Sequence, residues 1–422
     1  MLINYMKCFS PIKKTFVSNV KNFEGYSITP SNKLFSLTNV SPGPATINPI
    51  VLKEVSNELS NTNINKYGYT ALEMSHRSPE FATIINNVNV KIRNFMEIPN
   101  DFTIIWTQGG GHGQFSAIPL NMNRIFENVK GCYAVTGSWS FRAFKESQKF
   151  INSENITEDF YNNYKNSLEY NKLPTIKVPN DASYLYICSN ETVNGLEFKN
   201  HGIKYPTKKD LGNTKLVVDM SSDFLMKKVD WKNIDMAFAC TSKNMGAAGA
   251  NVVIIKKNLL EEMKYNSTTP IPCILDWKLY NDTNSLYNTP AVFNFYLINK
   301  ILDNYIDEMK NIEQMDNYNQ AKAQYIYNFL DSSEYFRPCV KDINSRSNIN
   351  IPFIVGDGSD RIRSYFLEHC YIHNLVGLRT QTPFSYDSIG LIEPLRISLY
   401  NGIKIEDVKR IIEIMEVFKI NT

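Results

Sequence analysis

The sequence predicts an α/β fold with a mostly parallel central sheet and a smaller α+β region after it. Between about residues 45 and 275, short apolar segments alternate with helical stretches. Strands that are apolar on both faces are typical of a parallel sheet covered by helices. The strand candidates are Thr103–Thr107, Gly131–Val135, Ala182–Cys188, Lys215–Met220, Asp235–Cys240 and Asn251–Lys256.

The pattern changes after residue 290, which indicates a second region. Residues 290–331 form a long amphipathic helical stretch. A strand at 350–355, a helix at 360–371, a strand at 395–399 and a helix at 404–418 follow it. We therefore predict an N-terminal extension (1–35), a large domain (36–300) and a small C-terminal domain (301–422). Asparagine-rich stretches such as 61–65 and 152–171 are predicted as polar loops.

The composition predicts a folded, cytoplasmic enzyme-sized protein. Of 422 residues, 43% are hydrophobic, and the formal net charge of +3 is too small for a nucleic-acid or membrane-surface footprint. No apolar run approaches the ~18 residues that a membrane span requires. Seven scattered cysteines without a Cys-x-x-Cys pair indicate neither a disulfide framework nor a zinc site.

Two local features have alternative interpretations. The first 35 residues contain several lysines and one acid, Glu24, but no arginine. That bias fits either an organelle-targeting segment or an ordinary extension, and we favour the extension. His369 and His373 lie four residues apart on a predicted helix, but no third ligand is evident, so we predict no metal.

Three candidates for chemistry follow predicted strands. Ligands of open parallel sheets bind at the carboxyl ends of the strands. Residues 108–114 form a glycine-rich turn whose backbone amides suit an anion such as phosphate. Asp219 lies near the end of one strand, and Lys243 follows the next. Taken singly, these are also compatible with a tight turn, a helix cap and a solvated lysine.

Together these residues favour one ligand, pyridoxal phosphate. A lysine in a buried cleft is expected to have a lowered pKa, which imine chemistry with a carbonyl requires, so Lys243 is the candidate. Asp219 would keep the pyridine nitrogen protonated, so that the ring can accept electrons. Trp139, which follows another strand, would stack on the ring.

These residues lie in motifs that resemble the phosphoserine aminotransferases, a class V group of the fold-type I pyridoxal-phosphate enzymes. The motifs occur in the family's order and extend over about 41–418. They are 41–45 (SPGPA), 74–78 (MSHRS), 108–120 (QGGGHGQFSAIPL), 136–139 (TGSW), 189–192 (SNET), 219–222 (DMSS), 242–244 (SKN), 286–290 (LYNTP), 350–353 (NIPF) and 396–401 (RISLYN).

The resemblance implies a role for each cofactor-binding residue. Lys243 would hold the cofactor as a Schiff base, and Asp219 would pair with the ring nitrogen. Trp139 would stack on the ring, and Thr192 would bond its hydroxyl. The cofactor phosphate would be bound by the amides of Gly111 and His112, near Ser242, and by Asn288 and Thr289 across the interface of a homodimer.

The resemblance also implies the substrates. Arg396 would bind the α-carboxylate of the amino acid, and His76, Arg77 and Arg379 would bind a substrate phosphate. The implied reaction converts 3-phosphohydroxypyruvate and glutamate to phosphoserine and 2-oxoglutarate by a ping-pong cycle, as in serine biosynthesis.

Three departures from the family lie at this site. Ser242 replaces the usual glutamine, so we expect weaker cofactor retention. Leu378 replaces the histidine of a Gly-His-Arg segment, and residues 380–395 form a longer link than usual. Two alternatives therefore stay open: a related aminotransferase with an altered, non-phosphorylated substrate, and a degenerate non-catalytic paralogue.

Overall fold

The computed structural model describes residues 37–61, 68–164, 172–199, 201–264, 270–379 and 394–420. Three predicted segments lie outside these ranges: the N-terminal extension, residues 62–65 of the asparagine-rich loop, and residues 380–393 of the longer link. Residues from Thr38 onward group as one compact unit.

A seven-stranded sheet lies at the centre of this unit and confirms the α/β class. All of its neighbouring strands are parallel except Gly249–Lys256, which is antiparallel to both its neighbours. Every strand candidate of the large domain is present. The order across the sheet is Phe102–Gly109, Gly249–Lys256, Met236–Cys240, Lys215–Asp219, Tyr184–Cys188, Lys130–Ala134 and Asn152–Asn155.

The edge strand Asn152–Asn155 corrects one prediction, because the sequence indicated a polar loop there. An edge strand has one hydrogen-bonded neighbour, and the side chains of this strand are exposed or half-buried. Such a strand needs no apolar alternation. The strand Gly249–Lys256 is antiparallel because only residues 241–248 separate it from its neighbour, too few for a parallel crossover.

Helices cover both faces of the sheet. Along the strand Lys215–Asp219, Leu216 and Val218 pack in one apolar cluster and Val217 packs in another, as the two-residue period of a strand requires. The helices are Pro49–Ser60, Pro79–Phe95, Gly111–Met122, Ser138–Ser147, Glu158–Tyr164, Lys208–Leu211, Lys257–Glu262, Trp277–Asp282, Val292–Met309, Ile312–Ser332, Asp360–Ile372 and Ile405–Ile420.

The predicted helical stretch at 290–331 is two helices. Lys310 has a left-handed backbone (φ 62°), and the Asn311 side chain accepts a hydrogen bond from the Gln314 amide, 2.9 Å, which caps the second helix. The predicted domain boundary at 300/301 falls within the first of these helices. The division into two domains stays a prediction.

A smaller antiparallel sheet follows, with the order Phe336–Pro338, Asn350–Val355 and Leu395–Ser398. It shares an apolar cluster with the helices Ile312–Ser332, Asp360–Ile372 and Ile405–Ile420. The register places Arg396 opposite Pro352. None of the described helices is long and apolar enough to cross a membrane.

Candidate active site

A cavity of about 390 Å³ opens at the carboxyl ends of the parallel strands. The last residues of three strands, Cys188, Asp219 and Cys240, line it. This wall brings together a large part of the predicted site, namely Gly111, His112, Trp139, Thr192, Asp219, Ser242, Lys243 and Arg396. Other predicted residues do not line it: His76, Arg77, Asn288, Thr289 and Arg379.

Lys243 lies at the centre of this group. Its Nζ donates to the Thr192 hydroxyl, 3.4 Å, and lies 6.0 Å from the centre of the Trp139 ring and 5.8 Å from that of the Tyr400 ring. Burial lowers the pKa of Lys243, but Tyr400 and Cys240 raise it more, so the pKa lies above its ordinary value. The expectation of a lowered pKa is therefore wrong, because the interactions with Tyr400 and Cys240 together outweigh burial.

Asp219 is a buried carboxylate at the end of the strand Lys215–Asp219. It accepts hydrogen bonds from the Tyr186 hydroxyl, 3.1 Å, and the Ser221 amide, 2.9 Å. Burial raises the pKa of Asp219, and the hydrogen bonds from Ser221 and Tyr186 partly offset this rise. No lysine or arginine of the described chain pairs with it. A buried carboxylate of this kind suits a protonated ring nitrogen.

The helix Gly111–Met122 begins at the cavity wall. Its N-cap is Gly110, which offers no side chain to the first free amides. These amides, with the positive end of the helix dipole, form a place for an anion. The ring of His112 lies edge-on to Trp139, with 5.7 Å between ring centres, and burial followed by the nearby Arg142 lowers the pKa of His112.

Ser242 lies between the lysine and the strand end. Its carbonyl oxygen accepts the Ala45 amide, 2.9 Å, and its hydroxyl lies 3.6 Å from the Cys240 sulfur. The Tyr400 hydroxyl donates to the Pro42 carbonyl, 2.8 Å. Pro42, Gly43 and Pro44 therefore line the cavity beside Lys243, and Tyr400 contacts both Pro42 and the lysine.

Arg396 is buried on the opposite wall. Its Nη1 donates to the Thr192 carbonyl, 2.6 Å, whereas its buried Nε has no hydrogen-bond partner among the described residues. Burial lowers the pKa of Arg396 to about 10. A buried guanidinium with an unused N–H suits an anionic ligand.

The predicted residues outside the cavity lie in three places. Arg77 is exposed and His76 half-buried, just before the helix Pro79–Phe95. The Thr289 carbonyl accepts the Gln108 side-chain amide, and Asn288 accepts the Tyr280 hydroxyl. Arg379 is exposed beside the strand Leu395–Ser398.

Sequence reasoning missed several residues of the wall. Cys240 ends a strand and Arg142 lies one helical turn after Trp139, so the same strand-end and helix rules could have indicated both. Pro42 and Tyr400 lie in quoted motifs, 41–45 and 396–401, but sequence reasoning assigned neither a role, and their contact joins residues 358 positions apart.

Known proteins resemble this chain over most of its length. The class-V aminotransferase family matches residues 38–411. The probable phosphoserine aminotransferase of Caenorhabditis elegans is 35% identical, over 87% of this chain and 93% of that protein. Phosphoserine aminotransferase 2, chloroplastic, of Arabidopsis thaliana is 33% identical, over 90% of this chain and 84% of that protein.

Solved structures give the same result. Phosphoserine aminotransferase from Bacillus circulans subsp. alkalophilus is 30% identical with a TM-score of 0.79, over 92% of this chain and 99% of that one. The pyridoxal-phosphate-bound enzyme from Trichomonas vaginalis is 30% identical with a TM-score of 0.78, over 90% of this chain and all of that one. The chain therefore belongs to the class-V aminotransferase family.

Proposed function

We propose that this chain is a pyridoxal-phosphate-dependent aminotransferase that makes phosphoserine and 2-oxoglutarate from 3-phosphohydroxypyruvate and glutamate. The observation that carries this proposal is the meeting of Lys243, Asp219 and Arg396 at one cavity. They provide an amine, a buried carboxylate that pairs with no cation among the described residues, and a buried guanidinium whose Nε has no hydrogen-bond partner among them. The similar proteins named above are phosphoserine aminotransferases.

The cavity suits the cofactor in size and in polar groups. About 390 Å³ lies in the range of small-ligand sites. The amides of Gly111 and His112 would hold the phosphate, and the Ser242 hydroxyl lies in the same wall. Asp219 would hold the ring nitrogen, and the face of Trp139 would cover the ring. Thr192 would bond the ring hydroxyl.

The protein's own residues have distinct tasks. Bound pyridoxal phosphate supplies an electron sink for the charge that remains when the substrate Cα proton leaves. The Lys243 amine would take that proton and later return it. Arg396 would hold the α-carboxylate and so orient the Cα–H bond toward the lysine.

We propose that a homodimer completes the site. Asn288, Thr289, His76 and Arg77 do not line the cavity of their own chain. Large exposed apolar side chains lie in the same segments, among them Leu72 and Tyr287. Burial against a second copy would remove these two side chains from water. A second copy would therefore bring its own copies of these residues to the phosphate groups.

We also propose a cytoplasmic location, and the composition and the cysteine content support it.

An altered substrate is the second candidate. Leu378, at the position of the family's histidine, is buried in the small apolar cluster with Leu395 and Ile397, so it offers the cavity no polar group. The phosphate site would then depend on His76, Arg77 and Arg379, which the described single chain does not bring together.

The purified chain with added pyridoxal phosphate tests the proposal. We expect a visible absorbance band that responds to glutamate and to phosphoserine, and a borohydride-reduced adduct that mass spectrometry locates on Lys243. Lys243→Ala should lose the adduct, whereas Lys228→Ala, at an exposed lysine, should keep it. A missing band in the wild-type chain would favour a non-catalytic paralogue. Turnover of alanine, serine or aspartate in preference to phosphoserine would favour an altered substrate.

A further inference from the structure

We infer that Glu191 is a positioning residue for the proposed cofactor site. Its buried side chain holds the start of the helix Ser138–Ser147, which carries Trp139, against the segment that carries Thr192. The inference rests on the proposed function only in what the two positioned residues would bind. The cap itself is a property of the chain.

The helix Ser138–Ser147 has no side chain of its own that caps its first amides, because the Ser140 hydroxyl accepts the amides of Thr136 and Gly137, which precede the helix. Its N-cap is Gly137, and the first amides of a helix have no partners within the helix. The Trp139 amide donates to Glu191 Oε2, 3.0 Å, and the Ser140 amide donates to Glu191 Oε1, 2.9 Å. The Ser140 hydroxyl also donates to Glu191, and the Ser138 amide donates to the Asn194 side chain, 3.1 Å. The cap therefore comes from a segment about 50 residues further along the chain.

The close approach of these two segments depends on Gly137. A Cβ atom at this position would lie 2.5 Å from both the Glu191 carboxyl carbon and the Asn194 amide oxygen. The Glu191 carboxylate thus occupies the space that a side chain at position 137 would need.

The start of the helix Ser138–Ser147 stabilises the carboxylate of Glu191. The residue is fully buried, and no lysine or arginine pairs with it in the part of the chain that the structure describes. Burial raises the pKa of Glu191, and the donors from Ser140 and Trp139 lower it. The positive end of the helix dipole and three donors take the place of a cation.

The neighbouring residue connects this cap to the cavity. The Thr192 carbonyl accepts Arg396 Nη1, 2.6 Å, and its hydroxyl accepts Lys243 Nζ, 3.4 Å. Trp139 and Thr192 both line the cavity, whereas Glu191 lies behind its wall. One buried carboxylate thus fixes the ring-stacking residue relative to the lysine and the arginine.

Glu191→Gln tests this role, and Glu197→Gln is the matched control. Asn190–Glu191 forms a short antiparallel hairpin with Leu196–Glu197, in which Glu197 lies opposite Asn190. Glu197 is also buried, but it pairs with Lys227, 2.9 Å, and does not line the cavity. The glutamine side chain at 191 has one acceptor oxygen, so one helix amide loses its partner. In the cofactor-free chain we expect hydrogen–deuterium exchange over residues 138–141 to speed up about 10-fold or more. In the same variant the dissociation constant of pyridoxal phosphate should rise by about 10-fold or more.

The control separates positioning from general damage. Glu197→Gln should change both quantities less than about twofold, even where it lowers the free energy of unfolding. Equal loss of cofactor affinity in both variants would overturn the inference, as would faster exchange in Glu191→Gln without loss of affinity. A wild-type chain that binds no pyridoxal phosphate would instead refute the proposed function, and exchange would still decide whether Glu191 caps the helix.

Discussion

At the scale of single residues, Arg396 gives a direct test of substrate binding. Its guanidinium is buried with an unused Nε–H, so a substrate carboxylate is the expected partner. Arg396→Lys keeps the charge but loses the planar pair of donors. We expect kcat/KM for phosphoserine and for glutamate to fall about 10- to 100-fold, which corresponds to about 1.5–3 kcal/mol for a hydrogen bond to a charged group. Steady-state kinetics measure this loss.

The matched control for this change is Arg337→Lys. Arg337 lies in the same small sheet, and its guanidinium donates to the Gly356 carbonyl of the chain itself, 2.8 Å. Arg337→Lys should leave kcat/KM for phosphoserine and for glutamate unchanged, because Arg337 does not line the cavity. A similar kinetic loss in both variants would contradict a substrate contact at Arg396.

The residues that sequence reasoning placed in the cavity share a local signal. Lys243 and Asp219 follow strands whose apolar pattern is evident, and the ends of parallel strands meet at one edge of a sheet. The pKa of Lys243 could not be predicted in the same way. It depends on Tyr400, which reaches the lysine only through the folded chain.

At the scale of elements, a substitution at the start of the helix Gly111–Met122 can weaken cofactor binding without preventing folding. A Cβ at Gly111 would lie 3.8 Å from the Ser221 hydroxyl oxygen, an ordinary contact, and the residue needs no left-handed backbone. Gly111→Ala should therefore leave the chain folded but crowd the proposed phosphate site. We expect the dissociation constant of pyridoxal phosphate to rise about 10-fold or more, as a lost charge-assisted hydrogen bond would cause. Fluorescence titration would measure it.

Gly113→Ala is the control for the same helix turn. Nothing lies within 4 Å of a Cβ there, and Gly113 does not line the cavity. Cofactor affinity should be unchanged, and the free energy of unfolding should rise by up to about 1 kcal/mol because alanine favours a helix. Equal affinity of both variants for the cofactor would argue against phosphate binding at Gly111.

The elements that sequence reasoning missed lack an apolar period. The edge strand Asn152–Asn155 is polar because one neighbour is enough to hold it. The break between the helices at Lys310 and Asn311 interrupts a continuous amphipathic pattern, and only the backbone at Lys310 and the cap at Asn311 reveal it. Patterns of burial therefore predicted the fold class well and the exact element ends less well.

At the scale of the whole molecule, Lys322 links stability to pH. It is fully buried, and burial lowers its pKa to about 7. Its Nζ lies within hydrogen-bond distance of the carbonyl oxygens of Leu399, Tyr400 and Ile403; the ammonium form can donate to all three, the neutral amine to two of them. In an unfolded chain a lysine keeps its proton up to about pH 10.4. Between about pH 7 and 10 the unfolded state therefore binds more protons than the folded state, so the free energy of unfolding rises as the pH rises through this range. It falls again as the pH is lowered toward 7.

Lys322→Met removes this titration. The difference in free energy of unfolding between wild type and Lys322→Met should therefore change with pH, by at most about 1.4 kcal/mol per unit between pH 7 and 10. Urea titrations at several pH values measure it. A flat difference for Lys322→Met would show that the lysine stays charged when buried.

The proposed dimer explains why part of the site could not be placed from one chain, and a surface substitution tests it. Leu72 is 64% exposed and lies four residues before His76. Burying one leucine is worth about 1.5–3 kcal/mol, and each copy of a symmetric dimer would bury one. Leu72→Asp should therefore raise the dimer dissociation constant about 100-fold or more. Cofactor affinity should fall with it, as Asn288 and Thr289 leave the partner's cavity. Ile372 is 70% exposed but lies outside the segments that carry His76, Arg77, Asn288 and Thr289, so Ile372→Asp should change neither sedimentation nor affinity. A wild-type chain that sediments as a monomer while it binds the cofactor would refute the shared site.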